Sequence, residues 1–170
     1  MLKRVEKGPI RSTRGSFAIV ASRYNGKYVD AMLRAARAEL KRAGAKSLKI
    51  LRVPGAFEIP AVAARLAANA PRSTLHAPYD AIICFGVIFQ GQTSHAQHIG
   101  WGVTHALAQI QIQHRLPIIH AVFVFEKEDH ARVRCLGKKH NRGTEAARTA
   151  IQMARLMKEI PDDRTTESTR

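Results

Sequence analysis

The densest run of chemically capable side chains lies at residues 86–95, with the sequence Gly-Val-Ile-Phe-Gln-Gly-Gln-Thr-Ser-His. Thr93 and Ser94 are good N-cap residues, so they predict that a helix begins here. A helix start offers unpaired main-chain N–H groups and a positive dipole end, which suit a phosphate. His95 would stand beside that anion, and histidine ordinarily exchanges protons near neutral pH. The segment indicates an anion site with a general acid or base, although a plain capped helix with a surface histidine is the alternative.

Three histidines of this region, His95, His98 and His105, could share one helix face, so a zinc site has to be considered. No acidic or thiolate partner is near them, and two helical turns separate the last two, which makes the metal signal weak. The glycine spacing fits neither a phosphate-binding P-loop nor a dinucleotide fingerprint, and no Gly-x-Ser-x-Gly nucleophile motif occurs. We therefore expect no metal site.

The apolar pattern alternates between short continuous runs and helical spacing. Continuous runs indicate strands that are buried on both faces, and apolar residues at helical spacing indicate helices between them. Strand–helix alternation predicts an α/β fold, namely a flavodoxin-like three-layer sandwich with a four-stranded parallel sheet and helices on both faces. The predicted strands are 16–22, 48–53, 81–85 and 117–125, and the predicted helices are 28–42, 59–70, 95 to about 114, 129–136 and 145–158.

Ligands of such sheets bind beyond the carboxyl ends of the strands. Besides the loop at 86–95, this rule selects Tyr24 and Asn25 after the first strand, the run Gly-Ala-Phe-Glu at 55–58, and residues 125–129. We expect one domain at 16–158, a basic N-terminal arm at 1–15 and a polar C-terminal tail at 159–170.

The composition suits a globular protein of the cytosol. The chain has 170 residues, of which 45% are hydrophobic, and no apolar run reaches the ~18–20 residues that span a bilayer. Cys84 and Cys135 lie in an apolar strand and a basic segment, so a disulfide is not expected. The formal net charge of +15 favours anionic partners, but nucleic acid, an anionic lipid surface and a phosphorylated small molecule all remain open.

Four segments resemble one enzyme family in their order along the chain. They are Ser-Arg-Tyr-Asn at 22–25, Val-Pro-Gly-Ala-Phe-Glu-Ile-Pro at 53–60, Gly-Val-Ile-x-x-Gly-x-Thr-x-His at 86–95 and Asn-Arg-Gly-x-Glu-Ala-Ala at 141–147. Together they resemble 6,7-dimethyl-8-ribityllumazine synthases, over about residues 17–156. The resemblance implies condensation of 5-amino-6-(D-ribitylamino)uracil with 3,4-dihydroxy-2-butanone 4-phosphate, with release of phosphate and water and without a metal or organic cofactor. This is the penultimate step of riboflavin biosynthesis.

The resemblance also implies a role for each matching residue. His95 would be the proton shuttle, Tyr24 would stack on the pyrimidine, and His120 would stand where the pyrimidine pocket closes. The implied contacts of the remaining residues are the ribityl chain for Ala56, Phe57 and Glu58, the ring pocket for Val87, Ile88 and Phe89, and the phosphate for Gln92, Thr93 and Arg134, with Asn25, Lys138 and Arg142 as further candidates.

Several positions depart from the usual family pattern. Gln90 stands where a basic residue is usual, His120 replaces a phenylalanine, and Arg142 replaces a lysine. These departures bear on affinity and rate more than on the fold. His120 could add a second titrating group beside the pyrimidine or could weaken stacking.

The family assembles as pentamers with active sites shared between neighbours, and some members form icosahedral shells. The resemblance therefore implies a homo-oligomer, either a pentamer or a shell of pentamers, and makes riboflavin synthase a candidate protein partner. Two other functions remain open. One is a catalytically weakened scaffold that binds flavin or lumazine ligands, and the other is nucleic-acid binding by the basic clusters, which the scarcity of interleaved aromatic residues disfavours.

Overall fold

A computed structural model describes residues 13–68, 78–137 and 140–160. The four strands form one parallel sheet in the order β2-β1-β3-β4, which confirms the predicted flavodoxin-like α/β architecture. The strands are β1 (Ser16–Ser22), β2 (Ser47–Val53), β3 (Ala81–Phe89) and β4 (Ile118–Phe125). The helices are α1 (Gly26–Arg42), α2 (Ile59–Ala68), α3 (His95–His114), α4 (Glu128–Ala131) and α5 (Arg142–Glu159), with one π-helical turn at Arg132–Leu136.

The core has two halves, one on each face of the sheet. Helices α1 and α5 and the π-helical turn cover one face, and α2 and α3 cover the other. Side chains alternate along each strand, so β1 sends Phe17 and Ile19 toward α1 and α5 but Ala18 and Val20 toward α2 and α3. Among the described residues, no helix is long and apolar enough to cross a membrane.

Strand β3 continues four residues beyond its predicted end at residue 85. Strand β1 pairs with β3 only as far as Phe85, whereas β4 pairs with it as far as Phe89. The predicted loop at 86–94 was therefore wrong for residues 86–89. Gly86 marks a close approach and not a turn, since a β-carbon there would lie 3.0 Å from Cγ1 of Val122 and 3.2 Å from Cβ of Ala56.

Several helix ends also differ from the prediction. Helix α5 begins at Arg142, three residues earlier than predicted, because the side chain of Asn141 caps it by accepting from the Gly143 N–H at 2.8 Å. Helix α1 begins at Gly26, and the helix predicted at 129–136 is α4 followed by the π-helical turn. Most of the predicted arm and nearly all of the tail lie outside the described residues.

The two cysteines are free, in agreement with the prediction that they form no disulfide, and both are buried. Cys84 packs on the α2–α3 side of the sheet and Cys135 on the α1–α5 side, so the sheet separates them. Burial raises the pKa of both thiols, that of Cys135 to about 11 despite Arg142 and Arg134 nearby. Neither thiol is therefore a reactive group at neutral pH.

A buried carboxylate joins α1 to α5. The side chain of Glu39, only 9% exposed, accepts from Arg42 at 3.0 Å and from Arg148 of α5 at 2.5 Å. Burial alone would raise the pKa of Glu39. The hydrogen bonds and charges of the two arginines outweigh burial, so the pKa lies below its ordinary value of 4.5. The ionised carboxylate therefore stabilises the folded chain.

We expect Glu39→Gln to lower the free energy of unfolding at pH 7 by about 1–2 kcal/mol, because it removes charged hydrogen bonds but leaves arginines that water can reach. The folded-state pKa is depressed, so this contribution is present above pH 4.5 and is lost as the pH falls below it. Urea titrations at pH 7 and at about pH 3.5 should thus show that the difference in free energy of unfolding between the wild type and Glu39→Gln shrinks on acidification. Glu159→Gln, at an exposed position, is the control. A difference between the wild type and Glu39→Gln that stays constant with pH would contradict the stabilising role of the ionised Glu39 carboxylate.

Candidate active site

The loops after β1 and β2 are joined by main-chain hydrogen bonds. The N–H of Arg23 donates to the carbonyl of Val53 at 2.8 Å, and the N–H of Tyr24 donates to that of Pro54 at 3.1 Å. These bonds continue the pairing of β1 with β2 beyond the strand ends. Hydrogen bonds consequently hold the main chain at Tyr24, while 72% of the residue is exposed.

Asn25 ties the first loop to the projecting end of β3. Its backbone is left-handed, with φ of 55°, a conformation that asparagine tolerates better than most residues. Its Nδ2 donates to the carbonyl of Val87 at 2.7 Å. Because β1 pairs with β3 only to Phe85, this side chain binds a carbonyl that β1 does not reach. Asn25 is thus placed to support the end of β3.

The loop after β2 presents Ala56, Phe57 and Glu58 at the same edge. Oε2 of Glu58 accepts from the N–H of Gly55 at 2.7 Å, so one carboxylate oxygen already stabilises the loop. A β-carbon on Gly55 would lie 3.2 Å from Cδ2 of Tyr24, so the tyrosine ring lies against this glycine. Ala56 is buried beside β3, whereas Phe57 is 64% exposed.

The end of β3 has two different faces. Val87 is buried in the α1–α5 half of the core, and the ring of Phe89 packs against Tyr28 with a centroid separation of 5.6 Å and against Phe125 at 6.5 Å. Ile88, between them, points to the α2–α3 side. Phe89 can therefore offer the α3 side only its main chain.

The loop from β3 to α3 is held by a residue that sequence reasoning did not assign to the site. The main-chain N–H of Gln90 donates to the carbonyl of Phe125 at 2.8 Å, and its Nε2 donates to the carbonyls of Thr93 at 2.9 Å and Gly91 at 3.3 Å. The amide thus closes the loop on itself. The only sequence signal was the departure at Gln90 from the usual basic residue.

Helix α3 begins at the predicted place, but its capping differs in detail. Ser94 occupies the N-cap position without a side-chain capping bond, and Oγ1 of Thr93 accepts weakly from the N–H of His95 at 3.4 Å. The first-turn N–H groups that the Thr93 hydroxyl does not cap therefore remain available to an anion. Gln92, Thr93 and His95 are all exposed at this corner.

In the described residues, no cluster of three or more histidine, cysteine, aspartate or glutamate side chains could hold a metal. His105, one of the three histidines considered for zinc, hydrogen-bonds through Nδ1 to the carbonyl of Trp101 at 2.9 Å and stacks on the indole. The imidazole of His105 is thus engaged with its own helix.

Three of the expected site residues do not join this edge in one chain. His120 is mid-strand in β4, paired with Cys84, and it bonds to Thr104 of α3. Arg134 lies on the π-helical turn, in the layer of α1 and α5 and across the sheet from α3. Arg142 opens α5 and pairs with Glu145, and Lys138 lies outside the described residues. The edge therefore gathers one set of the expected residues, and His120, Arg134 and Arg142 lie apart from it.

Comparison with known proteins gives a consistent result along nearly the whole described chain. The family model of 6,7-dimethyl-8-ribityllumazine synthase matches residues 14–158. The chain belongs to this family. Curated relatives carrying the same name include those of Xanthomonas euvesicatoria, 32% identical, and of Xanthomonas campestris and Stenotrophomonas maltophilia, each 34% identical. Each alignment covers 91% of this chain and 97% of the relative.

Family membership confirms the resemblance inferred from the four sequence segments. The matched range of the 6,7-dimethyl-8-ribityllumazine synthase family spans every loop at the carboxyl edge of the sheet and also His120, Arg134 and Arg142. The alignment is therefore not confined to the fold's core elements.

Proposed function

We propose that this chain is a transferase that condenses 5-amino-6-(D-ribitylamino)uracil with 3,4-dihydroxy-2-butanone 4-phosphate. The product is 6,7-dimethyl-8-ribityllumazine, and phosphate and water are released. The observation that carries this proposal is the family match over residues 14–158. The gathering of three sequence-selected loops at one sheet edge supports it, because that edge is where such folds bind ligands.

The proposed roles follow the arrangement of the edge. Tyr24 stacks on the pyrimidine, Ala56, Phe57 and Glu58 hold the ribityl chain, and the main chain of 87–89 lines the ring pocket. Gln92 and Thr93 bind the phosphate together with the open N–H groups of α3. His95, exposed at the same corner, passes protons as the imine forms, phosphate leaves and the ring closes. Holding both substrates in place supplies much of the rate, because a bimolecular encounter becomes a reaction within one complex.

The separation of His120 and Arg134 from this edge supports a site completed by a second copy of the chain. Phe57 is 64% exposed and Trp101 67% exposed, and such large apolar side chains mark contact surfaces when they cluster. We propose a homo-oligomer, a pentamer or a shell of pentamers, in which a neighbour supplies His120 for the pyrimidine and Arg134 for the phosphate. Lys138 and Arg142 are weaker candidates for the same role, and contact with riboflavin synthase remains a prediction, as does the cytosolic location.

Turnover of both substrates by the purified full-length protein tests the proposed function. We expect lumazine fluorescence to appear together with one inorganic phosphate for each product molecule. A protein that binds the pyrimidine but releases no phosphate would instead be the catalytically weakened scaffold. Association with RNA that falls steeply with salt, in the absence of turnover, would favour the nucleic-acid alternative.

Gln90→Ala tests whether the closed loop serves the phosphate. The substitution removes the amide bonds to Thr93 and Gly91, so the loop should lose its fixed shape. We expect the KM for the phosphorylated ketone to rise about tenfold and the KM for the pyrimidine to change by less than about twofold. Steady-state kinetics with each substrate varied in turn measures this. The exposed Gln113→Ala, at the far end of α3, is the control, and equal effects on both KM values would contradict the assignment.

A further inference from the structure

A hydroxyl on α3 holds the imidazole of His120. His120 lies on the edge strand β4, and it faces α3 because its alternating neighbours Ile118 and Val122 pack on that side. Its Nε2 atom is 3.0 Å from Oγ1 of Thr104. The same Oγ1 is 2.7 Å from the main-chain carbonyl of Gly100, one turn earlier in α3. Carbonyl, hydroxyl and imidazole thus form a continuous hydrogen-bonded chain.

Two partners restrain the Thr104 hydroxyl, because Oγ1 contacts the carbonyl of Gly100 and Nε2 of His120 together. A hydroxyl has one proton and two lone pairs, so it can bond to both partners. Desolvation lowers the pKa of His120, and a hydrogen bond to its own main chain only partly opposes this. The lowered pKa favours the uncharged ring.

A glycine brings the helix close enough for this contact. A β-carbon on Gly100 would lie 2.8 Å from Cγ2 of Val124 on β4, which is closer than an alanine could approach without displacement. Thr104 follows one turn later on the same face of α3 and so reaches His120. The contact between Thr104 and His120 therefore depends on the close packing of α3 against β4.

We propose that Thr104 is a positioning residue that fixes the ring orientation of His120, so that the planar imidazole faces the pyrimidine substrate. This inference rests on the proposed function, in which His120 closes the pyrimidine pocket of a neighbouring copy. A ring that is already held loses less side-chain freedom when the substrate stacks on it. Thr104 thereby determines affinity for the aminopyrimidine and not for the phosphorylated ketone.

Two substitutions separate the hydroxyl from the shape of the side chain. Thr104→Val removes the hydroxyl and keeps the branching, whereas Thr104→Ser keeps the hydroxyl. We expect the Kd for 5-amino-6-(D-ribitylamino)uracil, measured by titration calorimetry on the full-length protein, to rise about threefold to tenfold in Thr104→Val and to stay within about twofold in Thr104→Ser. The KM for the phosphorylated ketone should be unchanged in both variants.

The chain contains a matched control on α5. The hydroxyl of Thr149 donates to the carbonyl of Glu145 at 3.0 Å, with the same spacing as Thr104 and Gly100, but α5 covers the face of the sheet opposite to the one that His120 faces. We expect Thr149→Val to leave the pyrimidine Kd unchanged. Nitrogen-15 chemical shifts of His120 supply a second readout: the wild-type shift of Nε2 should persist in Thr104→Ser and change in Thr104→Val, which has no hydroxyl to bond Nε2.

The outcomes distinguish the inference from the function on which it rests. If the wild type binds the pyrimidine and Thr104→Val binds it equally well, Thr104 has no positioning role, and the proposed function stands. An unchanged nitrogen-15 shift of Nε2 in Thr104→Val would overturn the positioning role in the same way. A wild-type protein that neither binds the pyrimidine nor forms the lumazine would overturn both.

Discussion

His95→Ala should lower kcat by about 10²-fold while the fold and the assembly persist. This loss is at the lower end of what a positioned acid or base contributes, because His95 is exposed and water can replace part of its action. The substrates should still bind, since the proposed phosphate and pyrimidine contacts come from other residues. Stopped-flow measurement of lumazine formation under saturating substrates gives the loss of kcat. Circular dichroism of the variant tests whether the fold persists.

Added imidazole and a neighbouring histidine sharpen this test. If the deficit is the missing proton shuttle, imidazole in solution should restore part of the rate of His95→Ala. His98→Ala, which changes an exposed histidine of the same helix, should keep the wild-type rate. Full turnover in His95→Ala, or equal losses in the two variants, would remove His95 from the mechanism.

The second large effect concerns stability. Gly143→Ala should lower the free energy of unfolding by about 3 kcal/mol or more, because a β-carbon at Gly143 would overlap the carbonyl oxygen of Met32. The clashing atoms belong to the main chain of α1, which cannot rotate away as a side chain could. For a chain of this size, the melting midpoint should fall by roughly 10 °C. Differential scanning calorimetry measures this.

Gly91→Ala is the control for stability, because a β-carbon there would meet nothing within 4 Å. Its melting midpoint should stay within about 2 °C of the wild type. The same shift in both variants would mean that glycine flexibility in general, and not the contact of α1 with α5, accounts for the loss. The contrast also gives the glycine of the Asn-Arg-Gly segment a packing role.

The fold was predictable because each element carries its own periodic signal. The runs at β1 and the first part of β3 are apolar throughout, as strands covered on both faces must be, and the helices carry spaced apolar residues. The end of β3 was missed because Gly86 is typical of a turn when only its neighbours in sequence are considered. Its true constraint comes from Val122 and Ala56, which are distant in the chain.

The site residues show the same division between signals that are local in sequence and constraints from distant residues. Thr93, Ser94 and His95 could be selected from the sequence, because a helix start and its chemistry are local. The long-range partners of other site residues could not be assigned in this way. Asn25 meets Val87, and His120 meets Thr104, only after the sheet has formed and α3 has packed on it.

The most direct test of the account is a crystal structure of the full-length protein soaked with inorganic phosphate. The account predicts a phosphate within hydrogen-bond distance of the Thr93 hydroxyl and the first N–H groups of α3, with the His95 ring turned toward the same cavity. An empty corner at phosphate concentrations that inhibit turnover, with His95 turned away from the cavity, would contradict it.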